Sequence, residues 1–171
     1  MNHSISVRTL QRADIADCSR ILYSLPDWFG LEASNRAYID GLSTSPGAVA
    51  LAGDDIVGFI ALVAHTDASY EINVMAVPQD RHRRGIGSAL IAWAESWCRE
   101  RRVPWLHVKT RGPATPDPGY ERTRQFYLAK GFEPLFESLT EWGPENAALV
   151  LVKHLACGTA AYNDGGDGDG A

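Results

Sequence analysis

A predicted strand, a polar loop and a helix that begins between two glycines make up residues 74–90. The glycines are Gly85 and Gly87, and the loop before them carries Arg81, Arg83 and Arg84. Backbone amides at the start of a helix have no helical partner and carry partial positive charge. Glycine lets an anionic ligand approach these amides closely. With three guanidinium groups beside them, the segment is suited to binding a pyrophosphate, although a glycine-containing turn with solvated arginines is the purely structural alternative.

Two familiar phosphate-binding loops do not fit this segment. A dinucleotide-binding fingerprint places a third glycine three residues after the second, and this chain has Leu90 there. A P-loop needs Gly-Lys followed by Ser or Thr, which the sequence lacks. We therefore expect a phosphate site built mainly from backbone amides.

The segment resembles the pyrophosphate motif of the GNAT superfamily of N-acetyltransferases. That motif reads Gln/Arg-x-x-Gly-x-Gly/Ala between the fourth strand and the third helix. Here it reads His82-Arg83-Arg84-Gly85-Ile86-Gly87, so His82 stands where Gln or Arg is usual.

A second GNAT signature, near the C-terminus, is an aromatic-Tyr pair followed by x-x-x-Gly-Phe. The chain has Phe126-Tyr127-Leu128-Ala129-Lys130-Gly131-Phe132, and Tyr120 where the family often has Asn. The order of predicted elements also resembles the family from residue 4 to residue 153. The resemblance implies acetyl transfer from acetyl-CoA to an amine by direct attack.

The same resemblance implies where the cofactor binds. The pyrophosphate would lie on the loop and the first helical turn, formed by His82, Arg83, Arg84, Gly85, Ile86, Gly87, Ser88 and Ala89. The pantetheine arm would enter a slot where the strand ending near residue 77 parts from the strand at 105–110. There the backbone of Met75, Ala76 and Val77 would pair with it as an added strand does.

Tyr127 is the candidate general acid that the resemblance implies. A phenol is protonated at neutral pH and can donate its proton to the departing thiolate. Helical spacing alone would instead favour a half-buried tyrosine that packs beside Phe126.

Glu71 is the candidate general base, because related histone-acetylating enzymes carry a glutamate at the matching place of this strand. The alternation of Ser69, Glu71 and Asn73 with apolar neighbours also allows an outward-facing, purely structural glutamate. His65 and His107 are the substitutes for this role.

The acceptor pocket of this family is built from the loop after the first helix and from C-terminal segments. Here these segments offer Trp28, Phe29, residues 112–119 and Trp142. We expect these aromatic residues to be exposed, so that they either line an acceptor site or form a homodimer contact.

Hydrophobic periodicity predicts the elements that must position these residues. Strands are expected at 4–9, 49–52, 56–65, 69–77, 105–110, 132–137 and 148–153, and helices at 13–25, 32–42, 86–101 and 120–130. The strands between 49 and 77 should form an antiparallel meander, followed by one strand–helix–strand crossover from 69 to 110. The prediction is an α+β fold in a single domain, with a mixed, mostly antiparallel, GNAT-like central sheet flanked by helices.

Length and composition agree with one domain. The chain has 171 residues, of which 45% are apolar and 22% charged, with a net charge of −5. We expect the acetyltransferase domain to span residues 1–156 and a disordered Gly/Asp-rich tail to span 157–171. This charge argues against a nucleic-acid partner, and the longest apolar run is far too short for a membrane span.

Three widely spaced cysteines, without Cys/His ligand spacing, predict a cytoplasmic protein with no disulfide framework and no metal. The most favoured acceptor is the primary amine of a small molecule. The alternatives are a protein lysine or N-terminal acetyltransferase, and a non-catalytic acyl-CoA-binding regulatory module. The presence of both Glu71 and Tyr127 favours catalysis.

Overall fold

The computed structural model of the protein describes residues 4–114, 116–143 and 145–156. Its strands are β1 (Ile5–Thr9), β2 (Gly47–Ala52), β3 (Asp55–Thr66), β4 (Ser69–Ala76), β5 (Trp105–Arg111), β6 (Glu133–Ser138) and β7 (Ala148–His154). Its helices are α1 (Ile15–Tyr23), α2 (Glu32–Gly41), α3 (Ile86–Glu100) and α4 (Pro118–Ala129). The predicted tail, residues 157–171, lies outside the described residues.

All seven strands form one sheet in the order β1-β2-β3-β4-β5-β7-β6. Neighbouring strands pair antiparallel except β4 and β5, which are parallel and joined by α3. The predicted α+β class, the meander and the single crossover are confirmed. No helix in the described ranges is long and apolar enough to cross a bilayer.

Two apolar cores cover the two faces of the sheet. One contains α3 residues such as Leu90 and Ala94, together with Leu62 and Ile72 of the sheet. The other contains α1 residues such as Leu22, together with Val74 of the sheet. The α1 and α3 sides are therefore distinct, and a side chain on one face reaches the other only where strands separate.

A bulge in β4 breaks the regular alternation expected from the sequence. Ala61 of β3 pairs with Val74, but the next residue, Leu62, pairs with Ile72, so Asn73 is the extra residue. An extra residue shifts the side-chain period by one position. Consequently Ile72 packs in the α3 core, whereas Val74 packs in the α1 core.

The helix predicted at 120–130 begins earlier, at Pro118. Asp117 explains this start, because its carboxylate accepts hydrogen bonds from the backbone N–H groups of Gly119 and Tyr120. Proline is well tolerated in the first helical position, where no N–H is needed. Past the other end, Gly131 has a left-handed φ of +79°, a conformation that glycine favours just after a helix.

Candidate active site

The start of α3 presents free backbone amides to open space. Gly85 is the N-cap of the helix with φ of +81°, and no side chain caps it. The first helical hydrogen bond runs from Ala89 N–H to the Gly85 carbonyl, so the amides of residues 86–88 have no helical partner. A Cβ atom built on Gly85 would meet no atom within 4 Å. This geometry fits a pyrophosphate group.

The arginines beside these amides strengthen that fit. Arg83 and Arg84 are exposed, and neither forms an ion pair with any other described residue. Arg83 has a left-handed φ of 60°, so the loop turns sharply just before the helix. Two uncompensated positive charges therefore lie beside the helix start, where a phosphate oxygen would be stabilised.

His82 and Gly87 have structural contacts that their sequence motif does not reveal. The His82 Nε2–H group donates to the Val77 carbonyl oxygen at 2.8 Å, which ties the loop back to the end of β4. A Cβ atom on Gly87 would lie 3.1 Å from the Phe126 ring. Gly87 therefore permits α3 and α4 to pack closely, while the open space for a ligand lies at Gly85.

The predicted slot is present as a separation between β4 and β5. Their pairing covers only Ser69–Ile72 against Trp105–Val108. Beyond it, Met75 and Ala76 pair with β3 alone, and residues 109–111 pair with β7 alone. A strand with one unpaired edge can accept an extended ligand by backbone hydrogen bonds. The slot therefore suits a pantetheine arm that runs from the α3 cradle.

Glu71 is buried and lies at the centre of a charged cluster. The Glu71 residue is 7% exposed, so it does not have the outward-facing position that the sequence also allowed. Its Oε2 atom lies 2.6 Å from His65 Nε2, 3.5 Å from Lys109 Nζ and 3.6 Å from His107 Nε2. Strand alternation places Glu71 opposite Ile72, on the α1–α2 side of the sheet.

These neighbours keep Glu71 ionised. Burial raises the pKa of the Glu71 carboxyl, but the neighbouring His107 imidazole, the charge of Lys109 and the hydrogen bond with His65 together hold it below its usual value. The Ser69 Oγ atom lies 3.2 Å from His107 Nδ1 and fixes that imidazole from its other side. The cluster therefore holds a buried, ionised carboxylate that can accept a proton.

The same cluster has the composition of a metal site. The ligand atoms of His65, Glu71 and His107 lie within 4.8 Å of one another. However, the Lys109 ammonium already neutralises the shared Glu71 oxygen and would repel a divalent cation. The charges present are therefore better matched to proton transfer than to a metal ion.

Tyr127 lies in the core on the α3 side of the sheet. It is 5% exposed and its ring packs edge-on against Phe126 and Phe132, with ring centroids 5.3 and 5.4 Å away. Among the described residues, none forms a hydrogen bond with its hydroxyl. Burial raises the pKa of Tyr127, so the phenol keeps its proton at neutral pH. Glu71 and Tyr127 thus lie on opposite faces of the sheet.

The aromatic residues of the α1–α2 loop are half-buried, which corrects the expectation that they are exposed. Trp28 Nε1–H donates to Thr123 Oγ1 at 3.3 Å, and the Trp28 carbonyl accepts from the Tyr120 hydroxyl at 3.2 Å. The Trp28 ring also lies 6.2 Å from the His82 ring, centroid to centroid. Trp28 therefore joins three segments: its own loop, α4 and the loop before α3. The region that Trp28 and Tyr38 border on the Glu71 side of the sheet is called the cleft below.

Phe29 and Trp142, the other two aromatic candidates, have different environments. Phe29 packs edge-on against Tyr38 of α2, with ring centroids 6.1 Å apart. The pKa of Tyr38 is raised first by burial and second by the negative charge of Glu71. Tyr38 and Phe29 therefore lie on the same side of the sheet as Glu71. Trp142 is 41% exposed and remains free to contact a ligand or another molecule.

Two charged residues of β5 at the cleft were missed by sequence reasoning. Lys109 forms ion pairs with Glu71 and, at 3.2 Å, with Glu141. Arg111 lies over the Tyr120 ring. The polar alternation of His107, Lys109 and Arg111 along β5 was the available signal, because a strand facing solvent on one side shows the same pattern.

Comparisons with known proteins agree with this architecture. The family model of the acetyltransferase (GNAT) domain matches residues 44–134, more than half of the chain. No curated protein sequence matches the chain.

Solved structures share the fold at low sequence identity. A protein from Desulfovibrio desulfuricans, described as an acetyltransferase of the GNAT family, has a TM-score of 0.78 and 18% identity, covering 90% of this chain and 100% of its own. The ribosomal-protein-S18-alanine N-acetyltransferase of Escherichia coli has a TM-score of 0.72 and 16% identity, covering 94% and 98%. An aminoglycoside 6'-N-acetyltransferase complexed with coenzyme A has a TM-score of 0.72 and 15% identity, covering 88% and 97%.

The family model spans β4, the α3 cradle and the Phe126–Phe132 signature, which are the elements that build the site described above. This chain therefore belongs to the GNAT family of acetyl-CoA-dependent N-acetyltransferases.

Proposed function

We propose that this enzyme transfers the acetyl group of acetyl-CoA, by direct attack, to the primary amine of a small molecule. The observation that carries the proposal is the buried, ionised Glu71 at the last paired residues of β4 and β5. This carboxylate lies where the slot opens, on the side of the sheet that the α1–α2 loop covers, which supports its role as the proton acceptor.

Each candidate residue has one task in this mechanism. Glu71 takes a proton from the acceptor ammonium, so that the neutral amine nitrogen can attack the thioester carbonyl. When bound, the cofactor supplies the acetyl group as an activated thioester. Tyr127 donates its phenolic proton as the thiolate leaves, and the unpaired edge of Met75–Val77 holds the pantetheine arm. The amides of Ile86, Gly87 and Ser88, with Arg83 and Arg84, neutralise the pyrophosphate.

The choice of a small acceptor rests on the walls of the cleft. Trp28 closes one side through its hydrogen bonds to Thr123 and Tyr120. Tyr38 lies near Glu71 on another side. A cleft bridged in this way suits a compact amine better than an extended peptide. Similar folds include both an aminoglycoside and a ribosomal-protein acetyltransferase, so a protein lysine or N-terminal amine is the second candidate.

The remaining interpretations are less favoured. A non-catalytic acyl-CoA-binding module would not need a buried carboxylate with two imidazoles. A homodimer through Trp28 and Phe29 is disfavoured because both side chains are already engaged within the chain. The buried free thiol of Cys18 supports the reducing cytoplasm as the site of action.

One experiment separates these functions. Purified protein and acetyl-CoA are mixed with three sets of acceptors, namely small primary amines, lysine-containing peptides and peptides with free N-termini, and released thiol is measured. The proposal expects the highest kcat/KM with a small amine. A preference for either peptide set would establish the second candidate, and no thiol release above background with any acceptor would leave only the non-catalytic interpretation.

A further inference from the structure

Lys109 is the first residue of β5 beyond the part of the strand that pairs with β4. Val108 still pairs with Ile72, whereas Lys109 pairs only with Val150 on the other side. Its side chain alternates with Val108 and so lies on the same face as His107. Lys109 therefore carries its amine at the point where the two strands part.

The Lys109 amine lies beside the candidate base. Its Nζ atom is 3.5 Å from Glu71 Oε2 and 3.2 Å from Glu141 Oε2, and the side chain is 21% exposed. Burial lowers the pKa of Lys109, but the charges of Glu71 and Glu141 and its hydrogen bonds to them raise it above the ordinary value. The group is thus an ammonium held against a carboxylate, as an acceptor amine would be.

The chain has two other lysines, and neither has this environment. Lys153 Nζ donates to Glu95 Oε1 and to the Lys130 carbonyl, on the side of α3. Lys130 lies at the end of α4, with its Nζ 5.8 Å from the centroid of the Phe126 ring. In the described chain, Lys109 is therefore the one lysine paired with Glu71.

We propose that Lys109 is a self-acetylation site. The inference rests on the proposed function, since it uses the same donor and the same base. Glu71 takes one proton from the Lys109 ammonium, and the neutral Nζ attacks the thioester carbonyl. A carbon–nitrogen bond forms and the carbon–sulfur bond breaks. The second proton that Nζ gives up on becoming an amide is taken by the thiolate, which leaves as free CoA. The product is an Nζ-acetyl amide on Lys109.

Acetylation changes the charge of the cleft. It removes the one ammonium that lies between Glu71 and Glu141, and so leaves both carboxylates without that cation. A cationic acceptor then no longer competes with a fixed ammonium for Glu71. Self-acetylation therefore prepares the cleft to bind its cationic amine substrate.

The test is to incubate the full chain with acetyl-CoA, without acceptor, and to measure the intact mass and the acetylated peptides. We expect one acetyl group, on Lys109, formed at least about tenfold faster than on Lys130 or Lys153, because proximity to the base favours it. The rate constant should be independent of protein concentration. Lys109→Arg should abolish the modification, and the matched Lys130→Arg should leave it intact.

A second readout is the melting temperature. Acetylated protein and the Lys109→Gln variant both lose the cation, so they should show the same shift in melting temperature. Equal labelling of all three lysines, in native and heat-unfolded protein alike, would mean simple chemical acetylation and overturn the inference. Transfer to free amines with an unmodified Lys109 would also overturn it and leave the proposed function intact. Absence of any transfer would reject both.

Discussion

The Nε2 atom of His65, near the end of β3, lies 2.6 Å from the Oε2 atom of Glu71 in β4. The His65 side chain is 45% exposed and that of Glu71 is 9% exposed, so this contact links a buried carboxylate to solvent. A proton accepted by Glu71 therefore has a hydrogen-bonded route out of the cleft. The pair makes the role of Glu71 testable by pH dependence.

Glu71→Gln should impair the enzyme strongly near pH 7 and recover toward wild type as pH rises. An alkyl amine with a pKa of about 10.4 is neutral in only about 1 molecule in 10³ at pH 7, so a base is needed there and dispensable at high pH. Burial raises the pKa of Glu71, but His107, Lys109 and His65 hold it below its usual value, so the carboxylate of wild type stays ionised across this range. The measurement is kcat/KM from pH 6 to about 9.5.

The matched control for that variant is Glu141→Gln, which also removes a partner of Lys109. The ratio of kcat/KM for Glu141→Gln to kcat/KM for wild type should stay constant with pH, because Glu141 takes no proton from the acceptor. If the Glu71→Gln ratio is equally flat, the base is elsewhere, and His65→Ala and His107→Ala are the next variants to measure.

Tyr127→Phe should lower kcat while CoA affinity and melting temperature stay near wild type. The ring keeps its contacts with Phe126 and Phe132, and only the hydroxyl, which no other described residue hydrogen-bonds, is removed. General acid catalysis is typically worth about 10²–10⁴ in rate. Tyr23→Phe, at an exposed tyrosine of α1, is the control. Wild-type kcat in Tyr127→Phe would rule out the acid role.

Replacing both Arg83 and Arg84 by serine should weaken CoA binding about tenfold, or about 1.4 kcal/mol, without changing the melting temperature. Both side chains are exposed and form no ion pair with the rest of the described chain, so the fold does not depend on them. The difference from wild type should shrink at high salt. Calorimetry measures the affinity, with Arg12→Ser as control. Unchanged CoA binding would show that the amides alone hold the pyrophosphate.

Asp14→Asn should destabilise the fold by about 1–3 kcal/mol at pH 7. The buried Asp14 carboxylate accepts from both terminal nitrogens of Arg8, at 2.7 and 2.9 Å, and from Gln11 N–H at 2.7 Å. The hydrogen bond from Arg8 lowers the pKa of Asp14 despite burial.

The sign of the pH effect follows from that lowered pKa. Asp14 stabilises the native state fully above its unfolded pKa of about 3.9, and this contribution is lost as pH falls through the lower folded value. Urea denaturation of wild type and Asp14→Asn should therefore give free energies of unfolding that differ most at pH 7 and converge in acid. A difference that does not depend on pH would contradict an ionic role for Asp14.

Contiguous signals in the sequence were enough to predict the fold, and the loop and helix start that form the candidate cofactor cradle. Neighbouring residues determine both local features, namely the loop with Arg83, Arg84 and Gly85 and the Tyr127-to-Phe132 signature. Helix starts, left-handed turns and caps depend on local backbone chemistry. The period of apolar residues likewise placed the strands and helices to within a few residues of their observed ends.

The tertiary structure alone decided the environment of each functional group. The cluster around Glu71 draws His65 from β3 and Lys109 from β5, and the extra residue Asn73 changes which face each β4 side chain takes. Likewise, the lack of a side chain at Gly87 leaves room for the ring of Phe126, which belongs to a different helix. These relationships arise from pairing register and packing between segments distant in sequence, so no local pattern encodes them.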